Sequence, residues 1–279
     1  MEWLRIVAPI AVFTTMLALG LLVGREQARA ALERRMVLAA IVFGVVVPLP
    51  ALAVALVKLA GWKGAVAAGV ILMAICPGAP VALRRAIEAG GPPEFAPALH
   101  LAVILTAVFT IPACVAIMDW IFRADFQVTP LHIAKQVFLV QILPLAIGAG
   151  LRAWKPAFVA RIEPGLARAS NLLLLGLLGL CFVVLGPGLV EIGWAPVLAG
   201  AVLTVAALAI GAAFAGRDSP VRPAGAVAAA MRNPGLAILI ATVNRAPESV
   251  TAAIFGYTLG LVAVVAAFLA VQKRRAAQK

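Results

Sequence analysis

Two short stretches place chemically capable residues where a hydrophobic chain least accommodates them. Residues 228–239 read AAAMRNPGLAIL, and residues 74–86 read AICPGAPVALRRA. Proline removes a ladder donor and crowds the preceding turn, and glycine lets the backbone leave helical geometry, so Pro77, Gly78, Pro234 and Gly235 should interrupt two helices. Freed amides and carbonyls at such breaks can coordinate ions or polar parts of a substrate. Around them stand Cys76 and Ala79 in the first stretch, and Arg232 and Asn233 in the second. A guanidinium is permanently charged and suits a carboxylate or sulfonate. An amide both donates and accepts, so Asn233 either caps the interrupted helix or contacts a substrate.

Arg232 could instead reach an interface or neutralise a buried acid. No acidic residue lies deep in any apolar run, and an intramembrane arginine points to function by default. His100 is the other ionisable candidate. It could titrate and couple transport to protons, or serve only as an interfacial hydrogen-bonding group. The apolar runs hold no paired carboxylates, His-rich cluster or activated nucleophile, which argues against an enzyme and against a bound cofactor or metal.

These residues sit in a chain of 279 residues that is 64% hydrophobic and 12% charged, with a mean hydropathy of +1.10. That is too apolar for a soluble domain and fits an integral membrane protein of all-α class, its bilayer the lipid partner. Nine apolar runs are expected as helices, at roughly 4–23, 36–57, 64–87, 96–118, 133–151, 169–187, 195–215, 224–243 and 251–272, each about the length that spans a bilayer core. The first could pass for a signal peptide. Its length and the basic GREQARAALERR that follows favour a retained span.

The formal charge of +12 does not point to nucleic acid, because the basic residues lie in short connections without interleaved aromatics. The odd-numbered loops and the C-terminal tail hold sixteen Lys and Arg, from Arg25 to Lys279, against five or six on the other side. The positive-inside rule then sets the N-terminus outside and the C-terminus in the cytoplasm. Trp3, Trp62, Trp120, Trp154 and Trp194 all fall near predicted span ends, where amphipathic rings sit best. Cys76, Cys114 and Cys181 are separated and read as reduced packing residues.

The two interrupted runs are the third and the eighth, each third in a set of four, and they cross in opposite directions. Inverted repeats with paired broken helices frame substrate sites near the midplane. The segments CPGAPVALRRAIEAGG and AAAMRNPGLAILIA, with MLALGLLVG and ILPLAIGAGLR elsewhere, resemble the bile acid:sodium symporter superfamily and its bacterial organic-anion members. The resemblance implies a panel domain (runs at 4–23, 133–151 and 169–187) and a core domain (runs within 36–118 and 195–272). Substrate would bind at the crossing of the broken helices, with elevator-like movement between domains. It makes Cys76, Pro77, Gly78, Ala79, Arg232, Asn233, Pro234 and Gly235 the candidate substrate site.

The same resemblance shows what this chain lacks. The family coordinates sodium through a Glu and a Gln in the second crossover helix, a Ser-Asn pair in the first, and side chains of two neighbouring helices. In register, Ala228 falls at the Glu, Arg232 at the Gln, Ala82 and Leu83 at the Ser-Asn pair, and His100, Ile104 and Phe43 at the others. Sodium is a hard cation that needs oxygen ligands, so ordinary sodium coupling is not expected. Arg232 would supply by covalent attachment the charge that relatives borrow from sodium, either by meeting the substrate or by holding the crossing in shape.

The expectation is a multi-pass inner-membrane secondary transporter of a small organic anion. Alternatives are a transport-inactive receptor on the same fold, proton coupling through His100, or arsenite-type export through Cys76. Gln141 and Asn171 would lie on panel helices and could face the cavity, whereas Thr106, Thr110, Gln136, Thr204 and Tyr257 are expected to serve helix packing.

Overall fold

Proline and glycine set the division of this chain into helices. The computed structural model describes residues 2–122, 130–217 and 219–278. Lys279 and the side chains of Trp3, Arg25 and Trp120, named above, lie outside the described part. Among the described residues the protein is nearly all helical and has no named strand.

Helix α1 (Glu2–Gly20) leads through α2 (Arg25–Glu33) to α3 (Arg35–Val46) and α4 (Pro48–Leu59), which meet at a break before Pro48. Next come α5 (Gly64–Ile75), α6 (Ala82–Glu88) and the long α7 (Phe95–Phe122). Helix α8 (Pro130–Val137), a π-helical turn (Phe138–Ile142) and α9 (Leu143–Trp154) form one continuous stretch, followed by α10 (Pro156–Ile192). Helices α11 (Ala195–Ala215), α12 (Arg222–Ala230), α13 (Pro234–Val243) and α14 (Glu248–Ala277) complete the order.

Among the described residues six helical stretches are long and apolar enough to cross a membrane: 35–59, 95–117, 130–154, 156–192, 195–215 and 248–275. The protein is therefore polytopic. The other three expected runs appear as shorter apolar helices, Ile6–Gly20, Gly64–Ile75 and Pro234–Val243. Two of these are shortened by the anticipated interruptions at 76–81 and 231–233.

Two features depart from the sequence reading. The second run is not one helix, because Pro48 at the start of α4 cannot donate back to the preceding turn. The run at 169–187 extends toward the N-terminus as far as Pro156, so the basic stretch with Arg161 and Arg168 is helix and not loop. Pro156 occupies the first helical position, where its missing donor costs nothing, and alanines carry the helix onward.

Helix α1 packs on α9, α10 and α13, while α11 packs on α3, α12 and α14, and α14 on α5. Arg152 donates to the Leu21 carbonyl at 3.0 Å and Ser170 to the Thr14 carbonyl at 3.2 Å, tying α1 to α9 and α10. Trp154 and Trp194 are largely exposed at helix ends, and the Lys155 ammonium stands 4.3 Å from the Trp154 ring centroid, an arrangement suited to a headgroup region.

Without a hydrophobic drive between helices in lipid, close backbone approach must hold such a bundle. The α11–α14 contact illustrates it. A Cβ on Gly200 would run into the Tyr257 carbonyl oxygen, and one on Gly260 into that of Val197. By contrast, a Cβ on Gly179 in α10 would meet nothing. Gly200→Leu and Gly260→Leu are each expected to lower the thermal midpoint in detergent by more than about 5 °C or to prevent recovery of folded protein. Gly179→Leu should leave it within about 1 °C, and equal behaviour of the three variants would rule out this account.

Candidate functional site

The two interruptions face one another. Among the described residues the single isolated bridge pairs Pro77 with Arg232, antiparallel. Its origin lies in the prolines. Pro80 has no N–H to give the Cys76 carbonyl, which instead accepts from the Asn233 amide at 2.8 Å. That bond draws the Asn233 N–H away from Ala229, four residues back, and Pro234 has none to return to Ala230. Gly78 takes φ +78°, a left-handed conformation natural to glycine.

Asn233 secures the break from both ends of its amide. Its Oδ1 accepts from the Leu236 N–H at 3.0 Å and caps α13, and its Nδ2 donates to the Gly78 carbonyl across the crossing at 3.4 Å. Of the two roles open from sequence, the structure realises capping.

Arg232 is only 1% exposed and is the largest of the fully buried side chains. Nη1 donates to the Ala74 carbonyl at 3.1 Å, and Nη2 donates to those of Val45 at 3.2 Å and Ala229 at 2.6 Å. Each acceptor is the penultimate residue of its helix, α3, α5 or α12. The last four carbonyls of a helix have no intrahelical donor, and the aligned peptides leave about half a negative charge there. One guanidinium thus caps three helix ends at once.

No ion pair to Arg232 occurs among the described residues. Hydrogen bonds to a charged donor stabilise by roughly 1.5–3 kcal/mol each, so three are comparable to or larger than the several kcal/mol that burying the charge costs. Among the described residues Nε has no partner, and neither has the buried hydroxyl of Tyr257. Tyr257, Cys76 and Cys114 all lie within electrostatic reach of the guanidinium.

The remaining predicted positions divide. Cys76, Pro77, Gly78 and Ala79 are buried at the crossing with Gly235, and Pro234 is partly exposed. A Cβ on Gly78 would come 3.0 Å from Ile104, and one on Gly235 3.1 Å from Val12, so α7 and α1 flank the crossing. Ala228, Ala82, Leu83 and Ile104 are buried and apolar, and His100 is buried on α7 with no partner for Nε2 among the described residues. Phe43 is 51% exposed and packs on Phe214 at 5.8 Å between ring centroids. Its helix contributes the Val45 carbonyl instead, a ligand that sequence reasoning missed. The signal available was Pro48, whose break leaves α3 ending beside the crossing.

A model of the family described as Sodium Bile acid symporter family matches residues 9–192, about two thirds of the chain. The matched stretch includes the first interruption and ends before the second, where Arg232 stands. Comparison with curated proteins gave no match.

Arg232→Met would leave three buried carbonyls without a donor, and is expected to cost about 3–5 kcal/mol, read as a lower unfolding midpoint in detergent. Arg232→Lys should recover only part of this, because a single nitrogen replaces the planar fork. A methionine variant as stable as the parent would exclude the capping role.

Proposed function

Since the chain belongs to the Sodium Bile acid symporter family, a family of membrane transporters, we propose that it carries a small organic anion by alternating access without the family's usual sodium coupling. In this reading Arg232 stands in for bound sodium. The observation that carries it is the set of three helix-end carbonyls gathered on one buried guanidinium. Carbonyl oxygens are what a hard cation would seek at such a place. The Arg232 side chain is engaged with them, so its contribution is to hold the crossing and to set a positive potential there, and not to grip the substrate through its Nη groups.

Nine spans arranged as inverted repeats, with the N-terminus outside in the inner membrane, complete the reading. The packing of α1 on α9 and α10, and of α11 on α3, α12 and α14, supports a panel grouping beside a core grouping. The crossing of the interrupted segments lies in the core grouping, with α1 of the panel against Gly235. An anion arriving there would meet the potential of the buried guanidinium in a medium of low dielectric, where charge acts strongly.

His100 supplies a second reading, proton coupling, because its Nε2 is buried and unpartnered on the helix that touches Gly78. Flux assays in proteoliposomes with small carboxylates and sulfonates separate these. Equal uptake in sodium and potassium is expected, with Arg232→Gln slowing it at least tenfold. A sodium requirement, or unchanged transport by Arg232→Gln, would overturn the proposal. Acceleration by an imposed pH gradient, lost in His100→Leu, would identify proton coupling. Binding without net flux would make the protein a receptor.

A further inference from the structure

Gln141 is fully buried, yet neither its Oε1 nor its Nε2 has a hydrogen-bond partner among the described residues. It lies on the π-helical turn Phe138–Ile142. Pro144 accounts for that turn. Without an N–H at 144 the ladder shifts, and the Leu143 amide donates to Phe138, five residues back. Gln141 stays on the buried face of this stretch, in line with Ile133, Val137 and Leu145. Phe138, Leu139 and Leu143 face outward, and Gln141 faces in.

What Gln141 faces follows from its neighbours. The π-helical turn packs on α1 and on α7. These are the two helices that flank the crossing, α1 through Val12 at Gly235 and α7 through Ile104 at Gly78. The unpartnered amide and the two interrupted segments are therefore bracketed by the same pair of helices. Orphaned buried amides are rare because they forgo hydrogen bonds they had with water. A ligand that completes the set is one reason a protein retains such an amide.

We propose that Gln141 is a substrate-recognition residue, its amide completing its hydrogen bonds with a small organic anion that carries both an acceptor and a donor, such as a hydroxy acid. Nε2 donates to a carboxylate or carbonyl oxygen, and Oε1 accepts from the hydroxyl. The proposal rests on the transport reading above and adds to it the chemical class of the substrate. It also assigns specificity to the panel side, opposite the crossing that holds Arg232.

The test compares paired acids in proteoliposomes, lactate against propionate and 3-hydroxybutyrate against butyrate, for the parent protein and Gln141→Leu. The parent is expected to favour the hydroxylated member by roughly 10-fold to 100-fold in kcat/KM, the range for one buried donor–acceptor pair. Gln141→Leu should bring that ratio close to unity while the plain acids still move. A parent that does not discriminate, or a leucine variant that keeps the preference, overturns the inference and leaves the transport reading standing. No carboxylate flux by the parent overturns both.

Thermal unfolding without ligand gives an independent readout. An amide kept for substrate is replaced by leucine with an equal or higher midpoint, whereas a marked fall means that it serves folding and sinks the proposal.

Discussion

One positive charge must sit among carbonyls that helices α3, α5 and α12 would otherwise leave bare, and the centre of this protein depends on that constraint. Interrupting helices inside a bilayer is costly because each break exposes polar backbone where water is absent. Here the breaks resolve one another. The Cys76 carbonyl takes the Asn233 amide, the Asn233 side chain caps α13, and the Arg232 guanidinium gathers the Val45, Ala74 and Ala229 carbonyls. Remove the cation and three helix ends point their negative poles at one another.

The same arrangement gives a physical reason for the apolar residues around it. Ala228, Ala82, Leu83 and Ile104 are buried without polar function. If relatives assemble oxygen ligands at such positions to hold a mobile ion, a tethered cation makes those side chains unnecessary. It also removes the entropy cost and concentration dependence of recruiting an ion from solution. On the proposed reading the coupling itself would be lost, since a charge that cannot leave cannot carry the energy of an ion gradient.

Much of this was legible in the sequence. Hydropathy located the apolar runs because single helices in lipid must be apolar along their whole length, and Pro-Gly pairs marked both interruptions. The break before Pro48 was equally written in VVVPLP, but without a glycine it reads as an ordinary kink. The N-terminal part of α10 was hidden for the opposite reason. Arg161 and Arg168 lower its hydropathy without lowering its helix propensity, so a polar helix looks like a loop. The partners of Arg232 could not be read at all, because all three are backbone carbonyls and any side chain could stand at 45, 74 and 229. Gln141 was visible by type, and its inward orientation follows from helical spacing with Ile133, Val137 and Leu145, but that no side chain would meet its amide depends on which helices pack there.

The join between α10 and α11 has a mechanical consequence. If α1 and α8–α10 move as one body against α3–α7 and α11–α14, the chain must pass between the bodies three times. Its third passage consists of Gly193 and Trp194 alone, with Gly193 at φ +77°. Two residues pay out little slack, so the ends of α10 and α11 remain within about 11 Å of each other in every state. In such a motion displacement would be smallest near Gly193 and grow with distance from it, a swing about that corner more than a uniform slide.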